Sequence, residues 1–218
     1  MKHGFCFDLD GTLTKDEMLP LLAREIGQFE EMQALTAATI KGEIPFRESF
    51  LHRCRLLAEI PVSRVRQIVS AIPLHEKMVE FIQAHQDSCY IVTGNLDVWI
   101  SPLIEKIGCP CYCSTAEVEG DKLLAVRRVL CKGETIQKLK KKHDKIIVIG
   151  DGMGDVPMFL EADVAIAYAG VHPPVEALVS LSHHLVDDEA RLWALLKRYA
   201  SKTLNIDSLH KEATKHRI

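Results

Sequence analysis

The sequence predicts an α/β fold, in which a mostly parallel sheet is flanked by helices and a small all-helical unit is inserted after the first strand. Segments with apolar side chains at helical spacing alternate with short apolar runs. The long stretch from Thr14 to His75 contains no convincing strand. The apolar runs, typical of strands buried on both faces of a parallel sheet, lie at 4–7, 89–92, 146–149 and 163–167. The expected architecture is therefore Rossmann-like with one helical insertion.

The inserted unit follows the first strand directly. It is too long for an ordinary connection and too apolar for a linker, so we expect a folded helical subdomain over 14–76. The remaining residues, 1–13 and 77–218, form the expected core domain. Within the insertion, the pattern predicts three or four short helices that prolines separate. Their expected spans are 16–27, 28–42, 46–60 and 62–72.

The second half of the chain continues the alternation of strands and helices. A helix over 96–108 is expected to stop at Gly108, because glycine is a common residue just after a helix. Residues 111–129 predict a hairpin that turns at 119–121. The polar tail after about residue 201 is expected to fray or to pack as a short helix. Further helices are predicted at 133–143, 174–180 and 188–199.

Composition and charge limit the possible functions. The 218 residues are 47% hydrophobic, so the chain can bury a core, and the formal net charge of −3 lacks the basic excess of a general nucleic-acid binder. No apolar run approaches the roughly 20 residues that span a bilayer, and no signal peptide is recognisable. We therefore expect a cytoplasmic protein with neither nucleic acid nor a membrane as its partner. The sequence does not indicate an oligomeric state.

The seven cysteines show no disulfide framework, so we expect reduced thiols. Three of them stand at every second position in 109-CPCYC-113. That period is typical of one face of a strand, whereas zinc sites usually show C-x₂-C pairs. We interpret these cysteines as small buried apolar residues rather than as metal ligands.

Polar and acidic residues follow the apolar runs, where ligands bind in a parallel α/β sheet. Asp8 and Asp10 follow the first run, Thr93 follows the second, and Asp151 and Asp155 follow the third. Side chains two positions apart on an extended chain point the same way, so the first two carboxylates face one cleft. Together with Asp151 they predict an all-oxygen site that suits Mg²⁺.

These residues resemble the four motifs of the haloacid dehalogenase superfamily, most of whose members are phosphatases. The family's first motif is D-x-D-x-T, its second a Ser or Thr after a strand, its third a Lys and its fourth an acidic pair. The matching residues are, in that order, Asp8 with Asp10 and Thr12, then Thr93, then Lys132, and then Asp151 with Asp155.

The resemblance implies a role for each matched residue. Asp8 would attack phosphorus and become an aspartyl phosphate, and Asp10 would protonate the leaving group and later activate water. Mg²⁺ would be held by Asp8, Asp10, Asp151 and Asp155. The phosphate oxygens would be held by Gly11, Thr93, Gly94 and Lys132. The helical insertion would be the cap domain that contacts substrate and excludes water.

Within the superfamily, the chain is similar to the phosphoserine phosphatase group in 8-DLDGTLTKDE-17 and 42-GEIPFRESFLHRCRLL-57. The similarity implies that Glu17 contacts the ammonium group of the substrate and that Arg53 contacts its carboxylate. It also implies that Phe46 closes over the substrate. The chain departs from the group at Asn95, in 93-TGN-95 where the group has Ser-Gly-Gly, and at Gly154, where the group has Asn. The implied function is Mg²⁺-dependent hydrolysis of a small phosphorylated metabolite, with phosphoserine as a candidate and Asn95 beside the leaving group.

Other interpretations of the same residues stay open. A related enzyme would hydrolyse or transfer the phosphate of an amino-alcohol phosphate, a sugar phosphate or a nucleotide. A signalling receiver domain uses similar residues but has no helical insertion after its first strand. A catalytically silent binding protein of the same fold is a third interpretation. Singly, Thr93 could cap a helix, Asp155 could serve a helix dipole, and Lys132 and Arg53 could be solvated cations.

Overall fold

The computed structural model describes residues 2–201. Within that range the strands are β1 His3–Phe7, β2 Cys89–Leu96, β3 Cys111–Glu119, β4 Lys122–Arg128, β5 Lys145–Gly150, β6 Val164–Tyr168 and β7 His184–Val186. They form one sheet in the order β4-β3-β2-β1-β5-β6-β7. Neighbouring strands are parallel except for β3 and β4, which form the predicted hairpin. The predicted Rossmann-like fold is confirmed.

The central strand β1 explains why the apolar runs are unbroken. Its side chains alternate between two apolar clusters, with Phe5 and Phe7 on one face of the sheet and Cys6 on the other. Phe5 also meets Phe81 edge to face, with ring centroids 5.1 Å apart. Because both faces are covered, every position of the strand favours an apolar residue, and each buried Phe contributes roughly 1.5–3 kcal/mol.

The register of the sheet aligns the ends of three strands. Phe7 of β1 pairs with Ile91 of β2 on one side and with Ile149 of β5 on the other. All three strands run in the same direction, so the residues that follow these partners lie along one edge. The carboxyl edge therefore carries Asp8 between the end of β2 and the end of β5.

The insertion is helical, as predicted. Its helices are α1 Met18–Ala23, extended by a 3₁₀ turn over Arg24–Ile26, then α2 Phe29–Lys41, α3 Phe46–Leu57 and α4 Val62–Ser70. Gly27 and Gly42 end the first two segments at φ of 69° and 79°, which glycine adopts without steric cost. The last two helices end a few residues before the predicted positions 60 and 72.

The two ends of the insertion lie next to each other, close to the end of β1. The Lys15 N–H donates to the Pro73 carbonyl and the His75 N–H donates to the Leu13 carbonyl, both at 2.9 Å. The two connecting segments therefore lie side by side as a short antiparallel pair. The division into a core over 1–13 and 77–218 and a cap over 14–76 stays a prediction.

The remaining helices flank the sheet. They are α5 Glu76–Ala84, α6 Asp97–Ile107, α7 Lys132–Leu139, α8 Val156–Glu161, α9 Glu176–Leu181 and α10 over 189–201. Gly108 ends α6 with a φ of 80°, as predicted. The helices α5 and α8 and the short strand β7 were not predicted. Cys111 and Cys113 lie on β3, in line with their period of two.

Two expectations concern the ends of the chain and membranes. The tail after residue 201 lies outside the described residues. Within 2–201, no helix has the length and apolar character that a membrane crossing needs.

Candidate active site

A cavity of about 80 Å³ lies at the carboxyl edge of the sheet, closed on the other side by the inserted helices. Its small volume favours a small ligand. Every predicted site residue except Gly11 lines it, so residues from distant parts of the sequence do meet. The predicted residues in its wall are Asp8, Asp10, Glu17, Phe46, Arg53, Thr93, Gly94, Asn95, Lys132, Asp151 and Asp155.

The loop after β1 places the first two carboxylates. The Asp8 N–H donates to the Ile149 carbonyl at 2.9 Å, which continues the strand pairing and fixes the Asp8 backbone. The Asp10 carboxylate accepts the Met18 N–H at 2.8 Å, at the start of α1. Burial, followed by neighbouring carboxylates, raises the pKa of both aspartates well above its usual value. The shift favours the protonated form of a carboxyl group in the metal-free cavity.

Gly11 sits where the loop turns, at a φ of 75°. Its N–H donates to the Thr14 hydroxyl at 3.1 Å, so in this structure that donor is already engaged within the loop. The predicted contact of Gly11 with a phosphate oxygen stays a prediction. The residue also has a steric role, because a Cβ at Gly11 would come within 2.9 Å of both a Glu17 and an Asp151 carboxylate oxygen.

Lys132 begins α7 and is buried, which excludes the solvated-cation interpretation. Its ammonium donates to Asp8 at 2.7 Å and to Asp155 at 2.6 Å. Burial lowers the pKa of Lys132, but the two carboxylates outweigh it and raise the pKa above its usual value. Lys132 therefore stays charged and offsets the repulsion between Asp8 and Asp155.

The acidic pair after β5 is held by its own loop. The Asp155 carboxylate accepts the backbone N–H groups of Asp151 and Gly152, at 3.0 and 3.2 Å. Asp151 accepts the Thr12 hydroxyl at 2.6 Å, which links the loops after β1 and β5. Asp155 thus has specific partners beyond a helix dipole, and Thr12 orients a carboxylate of the cavity.

His172 is a residue of the site that the sequence did not reveal. It stands in the loop between β6 and α9, and its Nε2 lies 2.9 Å from Asp151 and 3.1 Å from Glu17. Hydrogen bonds to these two carboxylates raise the pKa of His172 to about 10. No motif marks this position, because a lone histidine in a loop has no local signature of what it will contact.

Residues in the last part of β2 form the opposite wall. The Thr93 hydroxyl accepts the Asn95 backbone N–H at 3.2 Å and lies 3.5 Å from the Asn95 amide nitrogen. Gly94 lies directly under the ring of Phe46, so closely that a Cβ there would overlap the ring. Phe46 stacks on Phe50 with centroids 5.4 Å apart. The insertion therefore closes over the strand end through aromatic contacts.

Arg53 is also buried rather than solvated. Its guanidinium donates to the Thr36 hydroxyl at 3.0 Å, and its Nε donates to the Ser49 carbonyl at 3.4 Å. Burial lowers the pKa of Arg53, and the nearby carboxylates of Asp10 and Glu17 oppose that shift. These contacts hold the guanidinium in the cavity wall as a donor for an anionic group.

The charges of the cavity fit a divalent cation. Five of its predicted residues are carboxylates, and only Lys132 and Arg53 are basic. Oxygens of Asp8, Asp151 and Asp155 lie within 4.8 Å of one another, and hard oxygen ligands of this kind suit Mg²⁺. Asp10 lines the same cavity, but its carboxylate does not belong to this group of the described residues. The coarse expectation of an acidic metal-binding cluster is met.

Comparison with known proteins assigns the family. The family model for haloacid dehalogenase-like hydrolases matches residues 5–160. The chain belongs to this family. The match spans all four predicted motifs and excludes the receiver-domain interpretation. The predicted phosphatase class is confirmed, and so is the predicted resemblance to phosphoserine phosphatases.

Three similar proteins illustrate the relationship. A phosphoserine phosphatase from Methanocaldococcus jannaschii is 28% identical over 184 residues, which are 77% of this chain and 85% of that protein. A 2-hydroxy-3-keto-5-methylthiopentenyl-1-phosphate phosphatase from Lysinibacillus sphaericus is 27% identical over 185 residues, covering 75% of this chain and 80% of that protein. The solved structure of a substrate-bound phosphoserine phosphatase complex covers 87% of this chain and 94% of its own, with a TM-score of 0.77 and 24% identity, and so shows the shared fold.

Proposed function

We propose that this haloacid dehalogenase protein hydrolyses a small phosphomonoester through an aspartyl phosphate on Asp8, and that O-phospho-L-serine is the preferred substrate. The observation that carries the proposal is the position of Asp8. Its carboxylate lies at the end of β1, fixed by Lys132, in a small cavity that also contains the raised-pKa carboxyl of Asp10.

In the first step, an Asp8 oxygen forms a bond to phosphorus while the ester P–O bond breaks. Asp10 gives its proton to the leaving alkoxide, which departs as an alcohol. In the second step, water gives a proton to Asp10 and its oxygen attacks phosphorus, which releases inorganic phosphate and restores the Asp8 carboxylate. The proton on Asp10 is therefore returned in each cycle.

Thr93, the backbone at Gly94 and Lys132 surround the position that the phosphate would occupy. A preorganised donor of this kind typically contributes about 3–4 kcal/mol of transition-state stabilisation. We propose that Mg²⁺ is held by Asp8, Asp151 and Asp155, with Asp10 nearby. When bound, the ion neutralises carboxylate charge and allows an anionic phosphate to approach an anionic nucleophile.

Two charged residues of the insertion support an amino-acid phosphate as the substrate. The Arg53 guanidinium matches a carboxylate and the Glu17 carboxylate matches an ammonium, and both line the cavity. Phe46 would cover the bound ester. The small volume disfavours a nucleotide.

A second candidate is a phosphoester without an amino group. Glu17 is already paired with His172 at 3.1 Å, and Asn95 adds an amide to the cavity wall. Both features suit a substrate with a hydroxyl or keto group at this position as well as they suit one with an ammonium group. The similar protein from Lysinibacillus sphaericus is named for a hydroxy-keto phosphate, which supports this candidate. The predicted cytoplasmic location and absence of macromolecular partners stay predictions.

A screen of phosphate esters with and without EDTA tests the proposal. We expect hydrolysis of a generic aryl phosphate that needs Mg²⁺ and is abolished in Asp8→Asn. We further expect kcat/KM to be far higher for phosphoserine than for sugar phosphates. Normal turnover by Asp8→Asn would refute the nucleophile, whereas equal rates for phosphoserine and sugar phosphates would refute only the substrate.

A further inference from the structure

Two pairs of crowded carboxylates lie in the cavity, and a nitrogen from the core bridges each pair. Lys132 bridges Asp8 and Asp155, and this contact belongs to the proposed phosphate chemistry. His172 makes the corresponding bridge between Asp151 and Glu17. That second bridge joins a proposed Mg²⁺ ligand, Asp151, to Glu17, and the proposed steps give His172 itself no role.

The geometry around Gly11 explains why Glu17 needs a partner. A Cβ at this glycine would come within 2.9 Å of oxygens from both Glu17 and Asp151, so the two carboxylates are packed over one residue. Like charges this close repel each other. Asp151 is held from its other oxygen by Thr12 at 2.6 Å, whereas His172 is the partner that the structure gives Glu17 within the described residues.

The backbone at His172 is suited to holding a side chain in place. Pro173 and Pro174 follow it directly, and each proline fixes its own φ and restricts the residue before it. Behind the imidazole lies an apolar cleft of about 590 Å³, which Glu17 and His172 both line. Glu17 also lines the reaction cavity, together with Thr36 and Ile40, so it lies between the two spaces, whereas His172 lines only the cleft. The cleft leaves room for a different side chain at position 172.

We infer that His172 is a positioning residue for substrate recognition, which holds the Glu17 carboxylate in the wall of the reaction cavity where the substrate ammonium binds. The inference rests on the proposed function. His172 would affect the binding of an amino-acid phosphate, and it would do so through Glu17 rather than through the reacting groups.

The test is a double-mutant cycle measured at saturating Mg²⁺ with two substrates: phosphoserine, and 3-(phosphonooxy)propanoate, which lacks the amino group. In His172→Leu we expect KM for phosphoserine to rise roughly 10- to 100-fold, the usual effect of losing a charged hydrogen bond. We expect kcat, and KM for the analogue, to change less than about threefold. His172→Gln should recover most of the loss, because its amide nitrogen reaches a similar position to Nε2.

In the Glu17→Gln background, His172→Leu should cause no further rise in KM for phosphoserine. A rise equal to that in the wild-type background would overturn the inference, as would a common fall in kcat for both substrates or a failure of His172→Gln to recover activity. The control is His52→Leu, which removes an exposed histidine of α3. If the wild-type protein hydrolyses aryl phosphate but shows no preference for phosphoserine over the analogue, the proposed substrate fails independently of any His172 variant.

Discussion

Replacing Lys132 by methionine removes a buried positive charge without removing the aliphatic side chain. The structure places the ammonium 2.7 Å from Asp8 and 2.6 Å from Asp155, and Lys132 is only 7% exposed. The variant therefore leaves two buried carboxylates facing each other with no partner between them. We expect both stability and catalysis to fall.

The magnitude follows from this geometry. Breaking a buried ion pair from one side usually costs about 3–5 kcal/mol. In Lys132→Met the Asp8 carboxyl would take up a proton, because its pKa is already raised by burial and Lys132 opposes that shift. Protonation limits the loss to about 3 kcal/mol, which lowers Tm by roughly 6–12 °C in a protein of this size. Loss of a donor to the phosphate should also lower kcat by about 100- to 1000-fold.

The measurements are thermal unfolding and aryl-phosphate hydrolysis, each with and without Mg²⁺. Because a cation would relieve the same repulsion, Mg²⁺ should raise Tm more in Lys132→Met than in the wild-type protein. Lys138→Met, an exposed site on the same helix, is the matched control and should stay within about 0.5 kcal/mol of the wild type. A Tm for Lys132→Met within about 2 °C of the wild type, without Mg²⁺, would refute this account of the buried charges.

Three further predictions follow from the same site. Arg53→Ala should raise KM for phosphoserine about 100-fold with little change for an aryl phosphate, whereas Arg55→Ala, an exposed neighbour, should change neither. Gly94→Ala should lower kcat/KM about tenfold, because its methyl group displaces the Phe46 ring from the cavity; unchanged kinetics would contradict that contact. Burial raises the pKa of Asp8 in the folded protein above its pKa in the unfolded chain. The metal-free protein should therefore lose stability as the pH rises from the unfolded-state pKa of Asp8 through its folded-state pKa. Mg²⁺ competes with that proton, so the rise in Tm on adding Mg²⁺ should be larger at about pH 7.5 than at about pH 5.5; the opposite order would contradict it.

The strand-end part of the site was predictable because its geometry is local. A buried parallel strand fixes where its residues lie, so a polar side chain placed directly after an apolar run must reach the carboxyl edge of the sheet. Asp8, Thr93 and Asp151 follow that rule and line one cavity. Lys132 was harder, since the sequence placed it only before the third apolar run, and the structure places it as the first residue of α7.

The parts that sequence missed depend on contacts between distant residues. His172 meets Glu17 across 155 positions, and nothing in the loop around it indicates that partner. The burial of Arg53 likewise depends on how α3 packs against α2, since exposed Arg55 occupies the same helix two positions away. The helix α5 was overlooked because it begins at Glu76, directly at the expected domain boundary.

The hydrogen-bonded connectors at the base of the insertion have a consequence for folding. Phe5 of β1 pairs with Cys89 of β2, more than eighty positions along the chain. Once Thr14 and Leu74 are paired, the path between those strands shortens to about two dozen positions, which reduces the loop-closure entropy by about 1 kcal/mol. Folding is therefore favoured in the order in which the inserted helices form before β1 pairs with β2. The central pair of the sheet then forms as though the insertion were a short turn.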